Sequence, residues 1–169
     1  MKKIVCLLLA ALLLVGCAPA KKQEPVTVSG TMEELINKMF ENHRQIQMPM
    51  MTMAVELTDT DSLSFNMGLD NADQISDAAI SEPMMGQPMS LVLVRVKDAA
   101  DAEPLAKQML EKINTAKWIC MEADTKTAAY YGDVVMFFMI GSQFAESATT
   151  DSMLEAFAVA CGGDVKVVG

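Results

Sequence analysis

Methionine is the residue type whose number and spacing could support an unusual chemistry in this sequence. The chain has 169 residues and 16 methionines. Two groups lie close to prolines: Met48, Met50, Met51 and Met53 around Pro49, and Met84, Met85 and Met89 around Pro88. Thioethers are soft ligands that favour Cu(I) over harder cations. All of these methionines except Met53 are therefore candidate copper ligands.

Two other interpretations of the same methionines must be weighed. Methionine is a flexible apolar filler of protein cores, and Met51 and Met53 alternate with polar residues as buried strand residues do. Methionines also occur along the whole chain, which favours the filler interpretation, so no metal and no cofactor is predicted. Alternatively, Met84, Met85 and Met89 could form an adaptable apolar recognition loop.

A cysteine that lies beside a histidine could act as a nucleophile with the histidine as its base. The chain has one histidine, His43, and the cysteines Cys120 and Cys161 follow far behind it. Either cysteine could pair with His43, but no GxSxG, HExxH, P-loop or dinucleotide glycine motif occurs, so an enzyme is not predicted. The two cysteines could form a disulfide in an exported protein, or could be two small buried hydrophobes.

Carboxylates and aromatic residues could also make a site. Asp59, Asp61 and Asp70 have the spacing of calcium-loop positions 1, 3 and 12, but a leucine and a serine occupy positions 5 and 6. Such residues are therefore predicted to be turn and cap residues. Trp118, Tyr130 and Tyr131 could line a ligand cleft or anchor a small core.

The first seventeen residues have the three parts of a bacterial export signal. Lys2 and Lys3 precede the apolar run Ile4–Val15, which is too short to span a membrane as a helix. The run ends at Gly16-Cys17, which resembles a lipobox. That resemblance implies a diacylglyceryl group on Cys17 and cleavage before it, and so a lipoprotein anchored at the extracytoplasmic face of the cell membrane.

The domain boundaries follow from this signal. Residues 1–16 are predicted to be removed, residues 17–30 to be the lipidated cysteine and a flexible tether, and residues 31–169 to form one domain. Removal of the signal leaves 153 residues with eleven Lys and Arg against twenty-two Asp and Glu, a net charge of −11. An acidic chain of this kind is not suited to nucleic acid, because phosphate binding needs clustered Lys and Arg.

Hydrophobic periodicity predicts the elements of the domain. Helices are expected over 32–44, 102–117 and 151–160, with a short helical turn over 61–67. Thr31 and Glu34 form a capping box for the first helix, and Thr149 or Thr150 can cap the last. Strands are expected over 51–57, 75–80 and 90–97, and over 128–131 and 134–140 on either side of a Gly132-Asp133 turn, with an edge strand over 165–168.

The order of these elements predicts the fold class. Only one connection between strands is long and helical, and a hairpin follows it. The sequence therefore predicts an α+β domain with a mostly antiparallel sheet of four to five strands and two or three helices on one side.

Several segments together resemble a family of small bacterial lipoproteins, mainly from Gram-positive anaerobes, catalogued only as a domain of unknown function. They are Met48-Pro49-Met50, Leu57–Asp61, Glu82–Met85 running into the 91–97 strand, the helix leading to Trp118, the Tyr131-Gly132 turn and a late helix with Phe157. The resemblance implies the location at the membrane and the fold, and it implies no catalytic or binding residue.

The function predicted from the sequence is therefore general. We expect a membrane-tethered extracytoplasmic lipoprotein that acts as a non-catalytic binding or accessory domain. Its partners are the membrane, through the lipid, and a protein or small molecule that the sequence does not identify. The alternatives are a lipoprotein that binds a small ligand or Cu(I), and a hydrolase without a recognisable motif.

Overall fold

A six-stranded antiparallel sheet forms the centre of the domain. The computed structural model describes residues 26–43, 46 and 48–169. In chain order the elements are α1 (Met32–Asn42), β1 (Met50–Ala54), α2 (Thr60–Met67), β2 (Ile75–Pro83), β3 (Met89–Val96), α3 (Ala102–Lys112), β4 (Thr125–Tyr131), β5 (Val134–Ile140), α4 (Thr150–Cys161) and β6 (Lys166–Val168). The strand order is β1-β2-β3-β5-β4-β6 and every pair is antiparallel. The predicted α+β class with an antiparallel sheet is confirmed.

Helices cover both faces of the sheet, so the prediction of helices on one side is wrong. Val92, Val94 and Phe137 pack in one buried cluster with α2 and α3, whereas Leu93 and Phe138 pack in a second with α1 and α4. The physical reason is that β3 and β5 are apolar on both faces, as central strands covered on both sides must be. The described residues contain six strands and four α-helices, more than predicted.

The ends of the helices follow the expected local signals. Thr31 accepts a hydrogen bond from the Glu34 N–H, and the Glu34 carboxylate accepts one from the Thr31 N–H. Thr149 and Ser152 form the same reciprocal arrangement at the start of α4, and Gly162 ends that helix in the left-handed region. Side chains satisfy free N–H groups of the first turn in this way. The predicted caps are therefore confirmed.

Helix α3 ends five residues before the predicted end. Ile113 leaves the helical region with φ −64° and ψ 138°, and the Asn114 side chain accepts a hydrogen bond from the Ala116 N–H. Asparagine side chains compete in this way with helical hydrogen bonds. Lys117 consequently lies on a loop and not on the apolar stripe of a helix.

The predicted alternation of β1 is present, but the predicted burial is not. Val55 is buried against α2 and α3, whereas Met51 and Met53 on the same face are 49% and 42% exposed. The reason is that β1 is an edge strand, so its side chains have a neighbouring strand on one side only. No helix in the described part of the chain is long and apolar enough to cross a membrane; the predicted leader and Cys17 lie outside the described residues.

Candidate functional site

A buried lysine lies at one end of the sheet. The Lys117 ammonium is 2.5 Å from Glu82 Oε1 on β2, and only 1% of the lysine side chain is exposed. It also lies 3.4 Å from Ser90 Oγ on β3 and 3.5 Å from Asn66 Oδ1 on α2. Glu82 Oε1 makes this ion pair but no well-directed hydrogen bond. Burial lowers the pKa of Lys117, and the charge and proximity of Glu82 oppose that shift.

Two aromatic rings flank this ammonium group. The Nζ atom is 5.4 Å from the centre of the Phe65 ring on α2 and 5.3 Å from the Trp118 ring. Both distances lie in the range of cation–π attraction. Lys117 thereby holds together a helix, two strands and the loop that carries Trp118, although only Glu82 neutralises its charge. No motif in the sequence indicates this pair, because hydrophobic periodicity predicts a helix that continues through Lys117.

Exposed apolar side chains follow both partners of the buried ion pair along the chain, and a further one, Phe65, contacts the lysine. Ile119 is 90% exposed, Met85 79%, Met84 66% and Phe65 53%. Ile119 follows Trp118 in a tight turn in which Cys120 has a positive φ of 60°, and Met84 and Met85 lie on the turn after β2. We call these four residues the distal apolar surface. The three most exposed large hydrophobic side chains of the described residues all belong to it.

The N-terminal segment is fixed at the opposite end of the sheet. The Val28 N–H donates to Asp133 Oδ1 at 3.0 Å, and Arg95 both pairs with Asp133 at 2.6 Å and donates to the Gly30 carbonyl at 2.7 Å. Residues 26–30, assigned to the tether from the sequence, thus lie against the domain. Arg95 and Ser90 are five residues apart on β3, so about 17 Å of strand separates the two ends.

The segments that carry the two methionine groups meet at the distal end of the sheet, which is the end with the distal apolar surface. Met50 lies opposite Pro83 in the sheet, and the Met84 N–H donates to the Pro49 carbonyl at 3.0 Å. Met48 and Met50 are half-buried against the cluster of α1 and α4. Met89 is completely buried, so its predicted place in a recognition loop is wrong. It starts a central strand covered on both faces, which the sequence of the loop does not reveal.

The only histidine contacts a serine and no cysteine among the described residues. His43 Nε2 is 2.8 Å from Ser152 Oγ, while Ser152 also donates to the Thr149 carbonyl and accepts from the Thr149 N–H. The tautomer of His43 decides which of these two atoms donates to the other. The contact joins the end of α1 to the N-terminus of α4, where Thr149 also holds the Ser152 hydroxyl. Burial lowers the pKa of His43, and Glu155 opposes the shift.

The two cysteines are separate free thiols. Cys120 is exposed on the distal turn, so the interpretation of two buried hydrophobes is wrong for it. Cys161 is half-buried at the end of α4, and burial raises the pKa of its thiol to about 12. A thiol of this kind is inert at neutral pH because the thiolate is the reactive form.

The acidic and aromatic candidates have local structural roles. Asp59 caps α2 by accepting from the Asp61 and Ser62 N–H groups, and Asp70 pairs with Lys112 at 3.2 Å. The described residues contain no group of three or more His, Cys, Asp or Glu arranged for a metal ion. The Tyr130 hydroxyl donates to Glu103 at 3.0 Å, far from Trp118 at the distal end. The three aromatic candidates therefore do not line one cleft.

Comparisons with protein-family models, with curated proteins and with solved structures give no match to this chain. The resemblance to small bacterial lipoproteins stays a prediction, as does the lipid on Cys17. The most distinctive feature of the described residues is the distal apolar surface near the Lys117–Glu82 pair.

Proposed function

We propose that this chain is a membrane-tethered binding domain that holds a protein partner outside the membrane through the distal apolar surface. The supporting observation is the concentration of exposure at one end of the sheet, where Ile119, Met84 and Met85 are the most exposed large hydrophobic side chains of the described residues. Large exposed apolar side chains concentrated in one region mark interaction sites on protein surfaces.

The side chains of this surface suit recognition of a protein. Methionine adapts its shape to different partners, and full burial of one large apolar side chain contributes about 1.5 to 3 kcal/mol. The Lys117–Glu82 pair beneath the surface joins β2 to the loop before Ile119, while the Phe65 ring lies over the same ammonium. A surface carried by joined elements loses little conformational entropy when it binds.

The predicted anchor would orient the surface away from the membrane. The chain enters the sheet at Val28 and Gly30, at the end opposite Lys117. A lipid on Cys17 would leave eight residues, 18–25, before the described segment. Eight extended residues reach at most about 28 Å. The tether therefore keeps the domain close to the membrane with its apolar surface on the far side.

Crosslinking on intact cells tests this function, because Cys120 lies beside Ile119 and is exposed. A thiol-specific photoreactive label on Cys120 should crosslink one protein above background, identified by mass spectrometry. Met85→Glu and Ile119→Glu should abolish that adduct, since a buried charge is costly at an interface. Val159→Glu is the matched control, because Val159 is 53% exposed on α4 and lies outside the surface. Equal adduct in all variants, or none in the wild type, would refute the proposal.

A further inference from the structure

The incompletely buried methionines form one group in the fold. Of the described methionines, eight are buried in the core: Met32, Met39, Met67, Met89, Met109, Met136, Met139 and Met153. Seven are not, and six of those lie on two segments, 48–53 and 84–85. The filler interpretation accounts for the buried eight. It does not account for the seven that are not buried, because methionines that reflect only the composition of the chain would be scattered over the surface.

Sheet pairing makes these two segments neighbours. Met50 is opposite Pro83, and the Met84 N–H donates to the carbonyl of Pro49, the residue between Met48 and Met50. Opposed residues of an antiparallel pair have Cβ atoms about 5 Å apart, and diagonal neighbours about 7 to 8 Å apart. Methionine has three rotatable side-chain bonds. Thioethers from the two segments can therefore converge on one point.

The two faces of β1 separate the methionines into two sets. Met51 and Met53 share the face of Val55, toward α2 and α3. Met48 and Met50 pack instead against the cluster of α1 and α4. Because the Met84 N–H donates to the Pro49 carbonyl, Met48 and Met50 are the methionines that flank the contact of this segment with the 84–85 turn. The candidate set is therefore Met48, Met50, Met84 and Met85.

We propose that Met48, Met50, Met84 and Met85 form a thioether site for Cu(I). Neutral sulfur ligands select a soft monovalent ion over calcium, magnesium or zinc, which take carboxylate, imidazole or thiolate ligands. The negative charge of the domain raises the local concentration of any cation at its surface. This site shares Met84 and Met85 with the distal apolar surface, but binding of a metal there does not depend on the docking of a protein partner.

Competition for Cu(I) tests the site in the full chain. The detergent-solubilised protein, with Cys120 alkylated and oxygen excluded, is titrated against the chromophoric Cu(I) chelator bicinchoninate. The wild type should withdraw one equivalent of Cu(I) from the chelator. Met84→Leu/Met85→Leu should lose this competition, because leucine keeps the apolar side chain and removes the sulfur. Met51→Leu/Met53→Leu, on the other face of the same strand, should retain it.

The outcomes separate this inference from the docking function. No stoichiometric competition by the wild type, or unchanged competition by Met84→Leu/Met85→Leu, would overturn the copper site. Equal loss in the Met51→Leu/Met53→Leu control would also overturn the assigned ligand set. Met48→Leu/Met50→Leu should also lose copper and, because neither residue belongs to the distal apolar surface, its crosslinking from Cys120 should be unchanged. Loss of copper with retained crosslinking, or the reverse, therefore identifies which proposal fails.

Discussion

The ammonium group of Lys117 and the carboxylate of Glu82 lie 2.5 Å apart, with 1% and 29% of their side chains exposed. The pair is asymmetric, because the lysine is enclosed by Phe65 and Trp118 while the glutamate reaches water. Removing the carboxylate would leave a buried charge without a counter-ion. A pair of this type fixes geometry more than it adds stability.

Glu82→Gln should therefore destabilise the domain by about 2 to 4 kcal/mol at pH 7, near the range for breaking a buried pair and reduced by the partial exposure of the glutamate. Lys117→Met/Glu82→Gln should recover most of that loss, because no buried charge remains. Urea denaturation of the four members of this cycle measures the coupling. If the double variant is as unstable as Glu82→Gln, the uncompensated charge is not the cause.

Gly132→Ala should loosen the N-terminal segment. A Cβ atom at Gly132, where φ is +57°, would overlap the Val26 carbonyl oxygen. Backbone strain in this region costs about 1 kcal/mol, and displacement of the segment adds to it. Gly86→Ala is the matched control, since its φ is +64° with open space around it. Thermal unfolding should show a larger decrease in Tm for Gly132→Ala, and proteolysis near residue 26 should be faster. Equal decreases in Tm would contradict the contact.

Stability should fall as the pH is lowered through 6.5, because His43 has a lowered pKa in the folded protein. Just below pH 6.5 His43 binds a proton in the unfolded chain but not in the folded chain, so protonation favours unfolding. This effect ends once the pH falls below the pKa of His43 in the folded protein. Urea denaturation between pH 7.5 and 5.5 should show the slope in the wild type and not in His43→Gln. The same slope in both proteins would exclude His43 as its source.

The two thiols should differ strongly in reactivity. Cys120 is exposed, whereas burial raises the pKa of Cys161 to about 12. At pH 8, iodoacetamide should label Cys120 within minutes and leave Cys161 unmodified in the native protein, with both labelled after denaturation. Peptide mapping by mass spectrometry reads the result. Equal native labelling would show that α4 does not protect Cys161.

The predicted lipid anchor is tested by fractionation. Cys17→Ala removes the acceptor thiol and should shift the protein from the membrane fraction to the soluble extracytoplasmic fraction. Cys120→Ala serves as the control, because Cys120 lies on the distal turn and should not affect fractionation. Retention of Cys17→Ala in the membrane would refute anchoring through the lipid.

The ends of the elements were predicted correctly where the residues that determine them are close together along the chain. The Thr31 cap, the Gly132 turn and the Gly162 helix end depend on residues within a few positions of each other, and all three occur as expected. Helix α3 was predicted five residues too long, because the apolar spacing continues while Asn114 already turns the chain. Hydrophobic periodicity indicates which residues share a face of a helix, but it does not indicate where the helix ends.

Contacts distant in the sequence decided the candidate sites. Lys117 and Glu82 are 35 positions apart and no spacing rule connects them. Alternation correctly placed Met51 and Met53 on one face, but the position of β1 at the edge of the sheet leaves that face uncovered there. Burial depends on which element packs opposite, and a single strand does not contain that information.

The sequence by itself determined the predicted lipid anchor, the acidic charge, the caps and turns, and the α+β class with an antiparallel sheet. Each of these depends on composition or on neighbours along the chain. Tertiary structure alone decided that helices cover both faces, that the 48–53 and 84–85 methionines meet, and that Lys117 lies buried beneath exposed apolar residues. The reason is that strand order and register bring distant segments together, and the energy of those contacts depends on all the elements that meet there.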